Sequence, residues 1–166
     1  MPADRTAAIL ARLIDAGRTL AVAESLTGGA LAAELVSVPG VSAVLRGGVV
    51  AYATDLKTSV LGVDEDLLAA HGPVHPQVAL EMADGVRARL GADIGLGTTG
   101  VAGPGPADGR PAGTVFVACT TPTWRTVRGY HLAGTRPAVR SATVALALAL
   151  LRQAGEQVGD RSRWDE

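Results

Sequence analysis

The chain has little of several features that would narrow its chemistry early. Its one cysteine, Cys119, cannot close an internal disulfide. It stands in an apolar, strand-like run from Thr114 to Cys119, the setting of a small buried hydrophobe rather than of a metal ligand. A reducing cytoplasm is the expected compartment. Only five of 166 residues are aromatic (Tyr52, Phe116, Trp124, Tyr130 and Trp164), so the core must be built from Ala, Val and Leu, which favours helices packed closely on a sheet. A formal net charge of −1 provides no electrostatic reason to expect a nucleic acid or an acidic membrane as partner. The longest apolar run, Ala142 to Leu151, is too short and too alanine-rich to cross a bilayer. Asp4 and Arg5 precede a periodic helix where a secretory signal would have its apolar stretch, so no signal is expected. The three histidines, His71, His75 and His131, lack regular ligand spacing, and no metal is expected.

Lysine is the scarcest charge. Fourteen arginines accompany a single lysine, Lys57. A GC-rich coding bias explains the arginines but not the exception. Arginine keeps its proton near neutral pH, whereas a desolvated lysine can lose one, so a site that needs a basic amine cannot accept the substitute used elsewhere.

At this length the chain fits one domain. Asp4 or Thr6 can cap a first helix with Ile9, Leu10, Leu13 and Ile14 on one face and Gly17 at its end. A strand from Thr19 to Ala23 runs into a polar turn, and a helix is expected from about Gly28 to Ser37. Val44 to Ala53 reads as a strand with a bulge or close contact at Gly47-Gly48. Thr54 or Asp55 caps a short helix ending at Gly62, Asp64 starts another, and Pro76 opens a longer one that stops at Gly91. A strand from Ile94 to Thr99, a long Gly/Pro loop from Val101 to Gly113, and a hairpin of Thr114–Thr120 with Arg125–Leu132 follow. A last helix runs from Arg136 to about Arg152. The domain is therefore placed at 1–153, with a frayed tail over 154–166.

The stretch Ala21 to Gly29, Ala-Val-Ala-Glu-Ser-Leu-Thr-Gly-Gly, carries the first candidate chemistry. Ser25 is a candidate nucleophile, and backbone N–H groups near Thr27, Gly28 and Gly29 are candidate oxyanion donors. The same residues also read as a plain helix cap. The segment Gly95 to Gly100 matches G-x-G-x-x-G, but its glycines fall inside a strand and lead to Pro104 and Pro106 rather than to a helix, so a dinucleotide site is rejected. There is no G-x-x-x-x-G-K-[ST] and no G-x-S-x-G, and no histidine is well placed to activate Ser25. The remaining base is Lys57, with Tyr52 placed to hydrogen-bond it or relay its proton. Without further context Lys57 reads sooner as a solvated helix charge, and Tyr52 as a strand-end residue with a wet hydroxyl, than as catalytic groups.

Three separated stretches supply that context. Ala23 to Gly29, Gly48 to Tyr52 with Lys57 five residues on, and Thr98 to Pro104 with Gly113-Thr114-Val115 closely resemble the CinA C-terminal domain family, from about residue 7 to 152. The resemblance implies an α/β domain, a three-layer α/β/α sandwich around a mixed sheet, and a homo-oligomer. It implies a stand-alone nicotinamide-nucleotide amidase that converts nicotinamide mononucleotide and water to nicotinate mononucleotide and ammonia with no cofactor. Ser25, Tyr52 and Lys57 are then the catalytic set. Candidates to hold the substrate phosphate are the turn at Gly28-Gly29, Thr99-Gly100, Arg136 and Arg140, the arginines reading equally as surface charges or subunit contacts.

Some positions depart from the family pattern. Ala53-Thr54 replaces a frequent Ser-Asn, Gly105 to Gly109 replaces a Gly-Gly-Ser loop, Gly72-Pro73-Val74-His75 replaces Gly-Ala-Val-Ser and so changes a helix cap, and Gly134-Thr135-Arg136 replaces Gly-Asp-Arg. None removes the implied chemistry. A catalytically silent nucleotide- or partner-binding module of the same fold is the alternative, but such a module has no need of Ser25, Tyr52 and Lys57 together.

Overall fold

A computed structural model of the chain describes residues 2–158. In chain order the elements are α1 (Pro2–Asp15), β1 (Leu20–Glu24), α2 (Ala30–Val36), β2 (Leu45–Val50), α3 (Thr54–Leu61), α4 (Glu65–His71), α5 (Pro76–Arg89), β3 (Ile94–Gly100), β4 (Thr114–Thr120), β5 (Arg125–His131) and α6 (Arg136–Val158). The five strands form one mixed sheet in the order β2-β1-β3-β4-β5. β1 is parallel to β2 and to β3, and the β4–β5 hairpin is antiparallel. Helices cover both faces, giving the three-layer α/β/α arrangement.

Strand alternation divides the core unequally. Leu20 and Val22 of β1, Ile94 and Leu96 of β3, and Val117 and Cys119 of β4 join a large cluster with α1, α2 and α6. Their neighbours on the opposite face are small. Ala21 and Ala23 pack with Val78, Met82 and Val86 of α5, and Ala118 packs with Ala79 and Ala83. Gly95 and Gly97 of β3 lie so close to α5 that a Cβ on either would run into the carbonyl oxygens of Ala83 and Ala79. The glycines that mimic a dinucleotide fingerprint are therefore packing devices, which let a helix rest directly on the sheet backbone.

Several local expectations are met. β2 carries a register shift opposite Leu20/Ala21, and a Cβ on Gly48 would fall 2.8 Å from Val22 Cγ2, so the glycine pair marks both a bulge and a close contact. Pro76 opens α5 behind His75, whose Nδ1 accepts from the Gln77 N–H at 3.2 Å. Cys119 is fully buried, and burial pushes its thiol up to about 12. The Thr121–Trp124 connection closes the hairpin with a 2.7 Å hydrogen bond from the Thr121 N–H to the Trp124 carbonyl.

Several boundaries differ: β2 stops at Val50 rather than Ala53, which leaves Tyr52 in the connection after the strand, and α2 is shortened to Ala30–Val36. α1 begins at Pro2, so Thr6 is inside the helix, where its buried hydroxyl donates to Glu34 Oε1 of α2 rather than capping anything. α3 is preceded by Ala53 with no side-chain cap. α6 continues to Val158 because Ala154 is fully buried against α1, so the helix outlasts the expected end at about Arg152. The remainder of the expected tail, from 159 on, lies outside the described residues.

Gly97→Ala should lower the unfolding free energy by about 1–3 kcal/mol, since the helix must lift from the sheet. Gly105→Ala, with open space around it, should stay within about 0.5 kcal/mol of the parent. Urea denaturation of both variants distinguishes close packing from generic loss of glycine.

Candidate active site

The three parallel strands β2, β1 and β3 end side by side; the connection from β1 to β2 runs one way across the sheet, and the connection from β2 to β3 passes back over β1 to its other side. A crevice opens there beyond the carboxyl ends of the strands. The cavity has a volume of about 260 Å³, and its wall includes Ser25 after β1, Tyr52 and Lys57 after β2, and Thr99 and Gly100 at the end of β3.

Ser25 is 9 % exposed and Lys57 only 1 %. Lys57 lies in the first turns of α3 and turns back into the fold. Its Nζ is 3.2 Å from Ser25 Oγ, 2.8 Å from the Ala51 carbonyl and 3.3 Å from the Tyr52 carbonyl. Protonated, it donates to all three. Neutral, its two N–H bonds still match the two carbonyls, which leaves the lone pair for the Ser25 hydroxyl. Burial lowers its pKa from 10.5 to about 8, against the opposing charges of Asp108 and Asp55, so the free base is within reach near neutral pH.

Ser25 is presented by a strongly constrained turn. Its N–H donates to the Thr98 carbonyl at 3.1 Å, and Thr27 Oγ1 meets Thr98 Oγ1 at 2.8 Å. Gly28 and Gly29 follow with φ of 58° and 94°, a left-handed pair that glycine adopts without the Cβ penalty. Glu24, 1 % exposed, supplies the feature absent from the sequence reading. Its Oε2 accepts from the Gly29 and Leu31 N–H groups at 3.0 Å each and its Oε1 from Ala32 at 2.8 Å. The first turn of α2 is thus already occupied by an anion, one belonging to the chain itself. A glutamate that ends a strand just before a glycine-led helix was the available signal for this reach-back cap.

That cap changes the expected roles around the turn. Thr27, Gly28 and Gly29 do not line the cavity: the Gly28 N–H donates to the Ser25 carbonyl at 3.0 Å and the Gly29 N–H to Glu24. Arg140 is likewise directed away from the cavity, with Nε on the Leu26 carbonyl at 3.0 Å and a terminal nitrogen on the Thr27 carbonyl at 2.9 Å. It clamps the Ser25 turn from α6. Arg136 does reach the cavity mouth, donating to the Gly103 carbonyl at 3.0 Å and to the Tyr52 hydroxyl at 2.9 Å. The Tyr52 side chain is 58 % exposed, and its link to Lys57 runs through its main-chain carbonyl, not the phenol. Thr99 Oγ1 donates to the Pro73 carbonyl at 2.7 Å and joins two cavity walls.

Residues 3–154 match the sequence profile of the CinA C-terminal domain. The chain belongs to this family. It is 52 % identical over 145 residues to a CinA-like protein of Frankia casuarinae, covering 87 % of this chain but 34 % of that protein. The chain thus spans about a third of the length of the curated relatives it matches. Among solved structures, a CinA superfamily protein from Klebsiella pneumoniae superposes with a TM-score of 0.88 at 35 % identity, covering 96 % of this chain and 98 % of that one. One from Enterobacter cloacae gives 0.89 at 33 % identity, with 93 % and 92 % covered. In this CinA C-terminal domain no described helix is long and apolar enough to cross a membrane.

Glu24→Ala strands three N–H groups of the nucleophile turn and should lower stability by about 2–4 kcal/mol. Glu24→Gln keeps one acceptor oxygen and should lose less. Chemical denaturation at constant slope reads the difference, and an unaffected Glu24→Ala would show that the cap carries no stability.

Proposed function

We propose that the chain is an amidohydrolase that deamidates nicotinamide mononucleotide to nicotinate mononucleotide and ammonia. The observation that carries the reading is the buried Lys57 amine, 3.2 Å from Ser25 Oγ in the wall of an open cavity. The family to which the chain belongs supports it, and the choice of amide comes from the resemblance.

In this mechanism neutral Lys57 takes the Ser25 hydroxyl proton as Oγ attacks the carboxamide carbon. Leu26, the residue after the nucleophile, lines the cavity, and this mechanism assigns its N–H to the developing oxyanion. The C–N bond then breaks, and the Lys57 ammonium returns the proton to the departing nitrogen, which leaves as ammonia. Water attacks the Ser25 ester and Lys57 takes its proton; as the ester C–O bond breaks, the Lys57 ammonium returns that proton to Ser25 Oγ, which regenerates the hydroxyl and the neutral amine and releases the acid product. Arg136 at the mouth retains donors beyond those given to Gly103 and Tyr52, and these are offered to the phosphate.

Purified protein should release ammonia from nicotinamide mononucleotide, and Ser25→Ala and Lys57→Ala should each lower kcat by about a thousandfold or more. Lys57→Arg should not restore it, since a guanidinium keeps its proton. No turnover by the parent, or undiminished turnover by the variants, overturns the mechanism.

The pH dependence has a definite sign. Below about 8 Lys57 is protonated and cannot act as base, so kcat/KM should climb with pH and level off above that value. Arg136→Ala should raise KM roughly tenfold with a much smaller change in kcat, measured by steady-state kinetics.

A further inference from the structure

The cavity wall holds four ionisable side chains, Tyr52, Lys57, Asp108 and Arg136, and Asp108 is the carboxylate among them. Asp108 is fixed by an unusual turn. Asp108 and Gly109 are the two central residues of a tight loop in which Ala107 and Arg110 exchange backbone hydrogen bonds of 3.1 and 2.9 Å. Their φ values are 53° and 69°, both left-handed, and Asp108 is the non-glycine residue with positive φ among the described residues. An Asp-Gly pair is the sequence suited to such a turn. The turn packs against the α4–α5 junction: a Cβ on Gly72 would meet the Asp108 carbonyl oxygen and Cβ at 3.9 and 4.0 Å. The next residues of that junction, Pro73 and Val74, line the cavity with it.

A base at Lys57 must be neutral to work, so the charges left in the working cavity are the carboxylate of Asp108 and the guanidinium of Arg136. Neither enters an ion pair among the described residues. The two poles are held differently, with Arg136 bonded to Tyr52 and Gly103 at the mouth and Asp108 on the wall formed with Pro73 and Val74. Asp108 acts electrostatically on Lys57 itself. A ring bonded directly to the carboxamide under attack must lie beside Lys57, and so in the field of the same carboxylate.

We propose that Asp108 is a specificity-determining residue that selects carboxamides borne on a cationic, N-substituted pyridinium ring over the same carboxamide on a neutral ring. This rests on the amidase reading and extends it, because the cavity then has a negative pole for the ring and a positive pole, Arg136, for the phosphate. A neutral ring forfeits the first attraction while keeping the second.

The test compares nicotinamide mononucleotide with its 1,4-dihydro form, which has the same carboxamide, ribose and phosphate but an uncharged ring. Asp108→Asn removes the charge and keeps a residue that tolerates the left-handed turn. Assayed on the high-pH plateau, where Lys57 is neutral in parent and variant alike, it should lower kcat/KM for the cationic substrate roughly threefold to tenfold, almost entirely through KM, and leave the neutral substrate within about twofold. Asp108→Gly, which also accommodates the turn, should behave in the same way. Added salt should erode the preference of the parent and leave that of the variants unchanged.

Calorimetric binding to Ser25→Ala protein, with and without Asp108→Asn, provides a readout that needs no turnover. The charge-selective loss should appear there as well. Equal losses on both ligands, or loss on neither, overturn the role of Asp108 while parent turnover keeps the amidase reading in place. A parent that binds both ligands with the predicted selectivity but releases no ammonia overturns the amidase reading and keeps the charge selection.

Discussion

The arrangement of the site depends on one buried carboxylate. Glu24 ends β1, the middle one of the three parallel strands, and reaches into the first turn of α2, where its two oxygens accept from Gly29, Leu31 and Ala32. A helix N-terminus set against the end of a strand leaves N–H groups that must find partners. Supplying the partner from the strand itself locks strand, turn and helix into one unit. Ser25 is the residue next to that lock, and Arg140 closes the turn from the other side through the carbonyls of Leu26 and Thr27. The nucleophile candidate is thereby held without engaging its own hydroxyl, which remains directed at Lys57.

Lys57 balances opposing demands. Burial disfavours its charge, while two carbonyls and the negative fields of Asp108 and Asp55 favour it. The outcome, a pKa near 8, suits an amine that must give and take a proton near neutrality. The sheet brings the partners together because β1 lies between its two parallel neighbours, so residues that follow β1, β2 and β3 converge at one edge. The small residues facing α5 let the helices on that face approach closely, and α3, which carries Lys57, packs against α5.

Much of the fold was legible in the chain. Pro76 at a helix start, Asp64 as a cap and Gly62 as a stop are local signals, and the structure follows them. Helix ends were less legible. α6 extends beyond Arg152 because Ala154 packs against α1, and Thr6 lies within a helix because its hydroxyl has Glu34 to donate to. Both outcomes depend on a second element that local propensity cannot see.

The sequence by itself determined the candidate chemistry. A lone lysine among arginines and a serine before two glycines are statements about side-chain pKa and backbone freedom, which travel with residue type. Only the tertiary structure decided how the other charges are used. Arg136 and Arg140 were equivalent as text, yet one reaches the cavity mouth and the other clamps a turn, because they sit one helical turn apart and a turn of helix changes what a side chain can touch. The anion site expected at Gly28-Gly29 is taken by Glu24, and the cavity's carboxylate comes from Asp108, far along the chain. Which unpaired N–H meets which carboxylate is settled by distance in space, and no local pattern of residues encodes that distance.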